Sequence, residues 1–265
     1  MYKYENKEYL KNEIIGQSRH QFIYGYNNEE RKSFIKELDN DFPIKIDCNL
    51  PMTIYLNEFG LPNIPINDSE LDLNKIDILS REYLSFSIAC SILLKSKENI
   101  GFDLTERIEK LLTIINKYYK NSNYPNILSL DDLINVLEQS KDFYKVYYID
   151  YLKNGIEDKS INDIVLPFLQ LESFVSQYKK VLNNTSYFSV IIDKCDDIAA
   201  SSTKAINLLI GSRINKDISM KIVLEPNMWE TYFDLNGQFV EPIHDYGIVE
   251  LDNSHREHVK KLKRI

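Results

Sequence analysis

The chain has 265 residues, 43% of them hydrophobic and 12% aromatic, enough to bury a sizeable core and to exclude wholesale disorder. Lys and Arg number 32 against 40 Asp and Glu, and the resulting charge of −8 disfavours generic binding to nucleic acid or to an anionic membrane. Eight Gly and eight Pro are few for this length, which points away from a turn-rich all-β sandwich and towards helices.

Residues 1–19 are polar and charged and read as a short arm or helix. His20–Tyr24 reads as a short buried strand ending at Gly25. A helix follows over Asn27–Leu38, with Asn27 or Asn28 as N-cap and Phe34, Ile35 and Leu38 at helical spacing. A second strand is expected at Pro43–Cys48, then a further extended piece at Met52–Tyr55. From about Ile76 to Lys180 the pattern is helical, with pieces at Leu79–Leu94, Leu104–Tyr119, Leu130–Leu137, Tyr144–Leu152 and Ile161–Val181. Strand–helix alternation then returns. Tyr187–Asp193 is continuously apolar, as a strand of a parallel sheet covered on both faces must be. Ala199–Leu209 is a helix, Ser219–Leu224 and Tyr246–Leu251 are strands, and His258–Arg264 is a last basic helical turn.

This alternation argues for an α/β layered sheet. Residues 1–75 and 183–265 supply the two parts of its core, and residues 76–182 form a helical insertion expected to touch the sheet little. Strand 20–24 is expected between 219–224 and 246–251. The three cysteines, Cys48, Cys90 and Cys195, are far apart with no Cys-x-x-Cys pair, so neither a disulfide framework nor structural zinc is expected. The first residues lack the apolar run of a secretory signal, and the longest apolar stretch, Tyr83–Leu94, is too short to span a bilayer. A soluble, cytoplasmic protein is expected, without a membrane partner.

Three spots carry chemistry. Gly25-Tyr-Asn-Asn-Glu-Glu-Arg-Lys-Ser33 stands between a strand and a helix, where a phosphate-binding loop would lie. Val190-Ile-Ile-Asp-Lys-Cys-Asp-Asp-Ile198 is an apolar strand with an acidic end. Ile210–Tyr232, with His244–Asp252, supplies a helix end, a strand and a last strand. In order and wording these resemble the bacterial AAA+ ATPases of the origin-recognition, replication-initiator-like branch. The resemblance covers residues 20–60 and 185–252, and the third segment is its most specific part. It implies a P-loop NTPase-like three-layer fold with a mostly parallel sheet and a large helical insertion. It also implies a nucleotide site at Gly25, Lys32, Ser33 and Asp193.

The chain departs from the family at the positions that bind and hydrolyse ATP. A phosphate loop needs Gly-x-x-x-x-Gly-Lys-Ser/Thr, because backbone N–H groups wrap the phosphates while the lysine reaches the outer ones. Counted from Gly25, the second glycine is Glu30, the lysine Arg31 and the hydroxyl residue Lys32. Sliding by one places Lys32-Ser33 correctly but puts Tyr26 and Arg31 at the glycines. Glu29 and Glu30 add negative charge to a helix start that would otherwise attract phosphate. In the family the acidic strand ends Asp-Glu, the aspartate supporting Mg²⁺ and the glutamate polarising water. Here Asp193 is kept and Lys194 replaces the glutamate; a lysine cation cannot act as that base at neutral pH. Asp196 and Asp197 lie one turn on, and Lys194 is expected to pair with Glu29 or Glu30.

The expectation is therefore a relic nucleotide site without catalytic residues, cofactor or metal, in a scaffold or regulatory subunit with protein partners. The alternative is an ATP- and Mg²⁺-binding, hydrolysing switch with an atypical loop carried by Lys32 and Asp193. A DNA-associated module is a third reading, and the acidic charge weighs against it. Arg213 reads as an intersubunit arginine or a helix-end contact, and His244-Asp245 as a turn. His255 and His258 have no evident third metal ligand. Trp229 and the tyrosines Tyr55, Tyr118, Tyr119, Tyr144, Tyr147 and Tyr148 read as core and rim. Lys260–Arg264 reads as a solvated basic run.

Overall fold

A computed structural model describes residues 7–25, 27–44, 47–56, 60–64, 71–100, 105–118, 127–155, 170–193, 198–212 and 216–251. Chain order is α1 (Lys7–Ile15), β1 (His20–Tyr24), α2 (Asn28–Asp41), β2 (Met52–Leu56), α3 (Leu73–Ile100), α4 (Thr105–Tyr118), α5 (Leu130–Asn154), α6 (Leu171–Leu182), β3 (Phe188–Ile192), α7 (Ala200–Gly211), β4 (Ile218–Leu224) and β5 (Tyr246–Glu250). The five strands form one sheet in the order β2-β3-β4-β1-β5, and every pairing is parallel. β1 thus lies between β4 and β5, as the sequence led us to expect.

Alternation along the strands divides the core into two layers. On one face, Ile23, Ile191, Val223 and Val249 meet Ile14 and Ile15 of α1 and Phe34, Ile35 and Leu38 of α2. On the other, Phe22, Ile54, Phe188, Val190, Ile192, Met220 and Ile222 join the apolar faces of α3 to α7. The result is a three-layer α/β fold. β3 and β4 are buried at every position, the condition that produces continuous apolar runs in sequence.

Among the described residues four helices lie between β2 and β3, and they do not stand apart from the sheet. α3 packs along β2 and α7, and one cluster of buried side chains runs from the strands through Phe86, Ile88 and Leu93 to Tyr144 and Tyr148. The expectation of little contact between this block and the sheet is not met.

Local differences from the sequence expectations have local causes. Pro43–Cys48 is not a strand in its described residues: Asp47 has φ of 50°, a left-handed backbone no strand admits. Its carboxylate accepts from Asn183 Nδ2 at 2.8 Å and pairs with Arg107 at 3.1 Å. The strand comes later, at Met52–Leu56. The two expected helices 130–137 and 144–152 are one helix, α5. Its polar middle is tolerated because buried Ser140 donates its hydroxyl to the Val136 carbonyl, one turn back. α5 is closed by Ser129, which accepts from the Asp132 N–H, and by Gly155 at φ of 63°. The first part of the expected helix 161–181 and the basic turn 258–264 lie outside the described residues.

At the amino end of the sheet, His20 is buried and its Nδ1 accepts the Met220 N–H at 2.9 Å, so the ring is neutral with its proton on Nε2. Burial, reinforced by the nearby Lys221 charge, lowers its pKa from 6.5 to about 4. The folded value lies below the unfolded one, so the unfolded chain binds the proton more tightly and stability falls as pH drops through this interval. Urea unfolding at pH 7 and pH 5 should differ by about 2 kcal/mol through this group. His20→Asn keeps an acceptor in place and removes the titration, so it should flatten the profile by that amount. Superimposable profiles for the two proteins would show that His20 is not the titrating group.

Candidate functional site

In an open parallel sheet, a crevice forms at the carboxyl edge where neighbouring strands send their connections in opposite directions. β1 connects towards β2, past β4 and β3, whereas β4 connects to β5 on its other side. The crevice therefore lies outside the carboxyl ends of β1 and β4, at Gly25 and Glu225. Asp193, at the end of β3, is two strand spacings from β1, roughly 10 Å across the sheet.

Arg31 occupies this crevice. α2 begins one turn earlier, with Asn27 Oδ1 accepting the Glu29 N–H at 3.0 Å, so of the two caps the sequence offered, Asn27 and Asn28, the first serves. The Arg31 N–H in turn donates to the Asn27 carbonyl at 3.0 Å. From the first turn of α2 the Arg31 side chain reaches back, buried, and its guanidinium donates to the Gly25 carbonyl. It also pairs with Glu225 at 3.2 Å, joining the loop after β1 to the end of β4.

Gly25 donates its own N–H to the Leu224 carbonyl at 3.2 Å, and a Cβ there would stand 2.9 Å from Arg31 Cγ. The glycine is thus required by the stem of Arg31, which comes as near to the backbone here as a phosphate would in a phosphate loop.

The other expected site residues are not gathered into this crevice. Lys32 lies on the surface and pairs with Glu29, three residues away, at 3.1 Å. Ser33 is exposed. Asp193 is buried, and the Tyr55 hydroxyl donates to its Oδ2 at 3.4 Å. The expected partnership of Lys194 with Glu29 or Glu30 falls outside the described residues, as do Cys195, Asp196, Asp197 and Arg213.

Nothing in the sequence pattern singled out Arg31 and Glu225 as partners. The only signal was that a long cation stands where a phosphate loop has its lysine. Asp245 caps a turn, accepting the Glu241 N–H at 2.8 Å, as read from sequence. Trp229 is core: it donates Nε1–H to Asn207 Oδ1 at 3.3 Å and meets the Phe22 ring edge-on at 5.1 Å. Tyr144, Tyr147 and Tyr148 are buried too.

Among the described residues there is no group of three or more His, Cys, Asp or Glu able to hold a metal ion, and no helix long and apolar enough to cross a membrane. No family model matches the chain, and no curated protein matches it.

Proposed function

We propose that this chain is a degenerate AAA+ ATPase-like protein that works without nucleotide, as a scaffold or regulatory subunit in a protein complex. The observation that carries this reading is Arg31. Its guanidinium joins Gly25 to Glu225 across the crevice where a phosphate chain would lie. Three features of the fold and sequence support the relationship to P-loop proteins: an all-parallel sheet with β1 inside it, a glycine at the end of β1 followed by a helix, and an aspartate at the end of β3.

Two features support the loss of nucleotide. The cation at the lysine position is turned into the protein, where its terminal nitrogens meet the chain's own acceptors at Gly25 and Glu225, and Lys32 pairs on the surface with Glu29. A polyphosphate entering here would have to displace Arg31 from two partners and approach Glu225 and Glu29, like charges that repel it.

Isothermal titration with ATP and Mg²⁺ tests the reading. No binding heat is expected at sub-millimolar nucleotide. Magnesium-dependent binding in that range would replace the scaffold with an ATP-responsive switch.

A further inference from the structure

β5 is an outer strand of the sheet, paired with β1 along its inner edge. Leu251 donates its N–H to the Tyr24 carbonyl at 2.8 Å. Alternation along a parallel ladder therefore turns the backbone groups of Gly247 and Val249 towards β1 and those of Ile248 and Glu250 outwards. The outward carbonyl of Tyr246 is occupied, because it accepts the Ile243 N–H and the Arg19 guanidinium, each at 2.9 Å. Among the described residues, the outward N–H and C=O groups of Ile248 and Glu250 have no hydrogen-bond partner. An open strand edge is a template for another chain, and folded proteins blunt such edges with lysine, proline, bulges or a covering element. β5 has no lysine or proline, and its ladder with β1 runs through the strand without a bulge.

An apolar surface continues from this edge. Ile248, two residues after Tyr246 and on the same face, is 53% exposed. Tyr246 stacks on Tyr232 at 6.2 Å, and Tyr232 meets Phe239 at 6.3 Å. Phe239 and Phe233 pair across an antiparallel bridge with rings 5.5 Å apart, yet they are 52% and 50% exposed. Asp234 fixes the turn between them by accepting the Asn236 and Gln238 N–H groups, each at 2.8 Å. A surface held in this way loses little conformational freedom when it is covered.

The surroundings are acidic. Residues 225–251 contain six Asp or Glu and no Lys or Arg. Glu230 and Glu241 are exposed, and Glu250 stands half-buried at the open edge itself. This charge selects the occupant. Two copies of β5 paired about a two-fold axis would set their Glu250 carboxylates diagonally across the new ladder and bring two acidic surfaces together, which is unfavourable. A segment with lysine or arginine among apolar residues meets opposite charge instead.

We propose that β5 receives an extended, basic segment of another protein as an added strand of the sheet. The segment's backbone pairs with Ile248 and Glu250, its apolar side chains lie against Ile248, and its cations meet Glu250 and Glu241. Phe233 and Phe239 extend the apolar contact. Main-chain hydrogen bonds supply affinity in this mode of recognition, and the side chains beside the edge supply the choice of partner. The inference is independent of whether the crevice binds nucleotide.

The test adds a short acetylated, amidated peptide of alternating valine and lysine to the full chain and follows amide exchange by NMR. Saturable binding of a single peptide per chain is expected, with exchange at Ile248 and Glu250 slowed about tenfold or more. The same peptide N-methylated at every residue keeps its charge and side chains but has no donors, so it should bind about tenfold more weakly and protect neither amide. Ile248→Lys, at an exposed position, places a cation on the edge and should weaken the unmodified peptide about tenfold. Equal binding of the methylated and unmodified peptides would overturn strand addition in favour of charge attraction alone. Unchanged exchange at Ile248 and Glu250 would overturn it as well. A dimer of the chain alone in sedimentation, with both amides already protected, would overturn the foreign partner in favour of a second copy.

Discussion

Replacing Arg31 by alanine should lower the unfolding free energy by about 3 kcal/mol, a large effect for one residue in the first turn of a helix. Truncation empties the space against Gly25 and leaves the Gly25 carbonyl without its charged donor. Glu225, whose side chain is 42% exposed, rehydrates when its partner is lost, so its share of the cost is small. Arg31→Lys keeps the charge and most of the stem but not the two-pronged reach to Gly25 and Glu225. It should lose about 1.5 kcal/mol. Urea denaturation of the two variants checks both values. A loss under 1 kcal/mol for Arg31→Ala would mean that the crevice does not depend on this side chain. The ATP-binding reading would then regain its footing.

Lys221→Met should cost still more, about 4 kcal/mol. Lys221 is fully buried in the middle of β4, on the face covered by α1 and α2. Its Nζ donates to the carbonyls of Gln17 and Arg19 at 2.9 and 2.7 Å and to Gln21 Oε1 at 2.6 Å. Three donors of the ammonium thus meet three acceptors, and methionine fills the volume while taking the donor from the Gln17 carbonyl and Gln21 Oε1; the Arg19 carbonyl keeps the Ser219 hydroxyl at 2.9 Å.

The lost contacts tie the α1–β1 connection to the sheet, so amide exchange in α1 should rise along with the drop in stability. Burial also holds the Lys221 pKa well below 10.5. The unfolded chain therefore binds that proton more tightly, and wild-type stability should rise with pH through the interval below 10.5. The methionine variant should lack this rise. A variant within 1 kcal/mol of wild type, with the same alkaline profile, would show that the Gln17 carbonyl and Gln21 Oε1 find other donors.

Composition and periodicity determined the elements whose residues answer to their own neighbours. β3 and β4 lie between two helical layers, and burial on both faces demands the unbroken apolar runs that made them legible. α2 was legible because Asn27 caps it and Phe34, Ile35 and Leu38 mark its buried side. Where the deciding partner is remote, sequence misled. Ile44 and Ile46 alternate like strand residues, yet Asp47 turns the chain to meet Asn183 and Arg107 from distant helices. The polar middle of α5 reads as a break until packing buries Ser140 against its own helix.

The site divides in the same way. Gly25, Lys32 and Ser33 could be set against the fixed offsets of a contiguous phosphate-loop motif, and Asp193 was named by the resemblance of its apolar, acid-ended strand. What fills the crevice could not be read this way. A long cation can point to solvent or fold inwards, and only an acceptor 194 residues away, Glu225, together with the carbonyl of Gly25, decides that Arg31 folds in. Lys221 is the same case. A lysine within an apolar run reads as a solvent-facing position, and only the α1–β1 connection supplies the carbonyls that let it be buried. Side-chain direction is set by partners that the sheet brings together from across the chain, and a local pattern does not encode them.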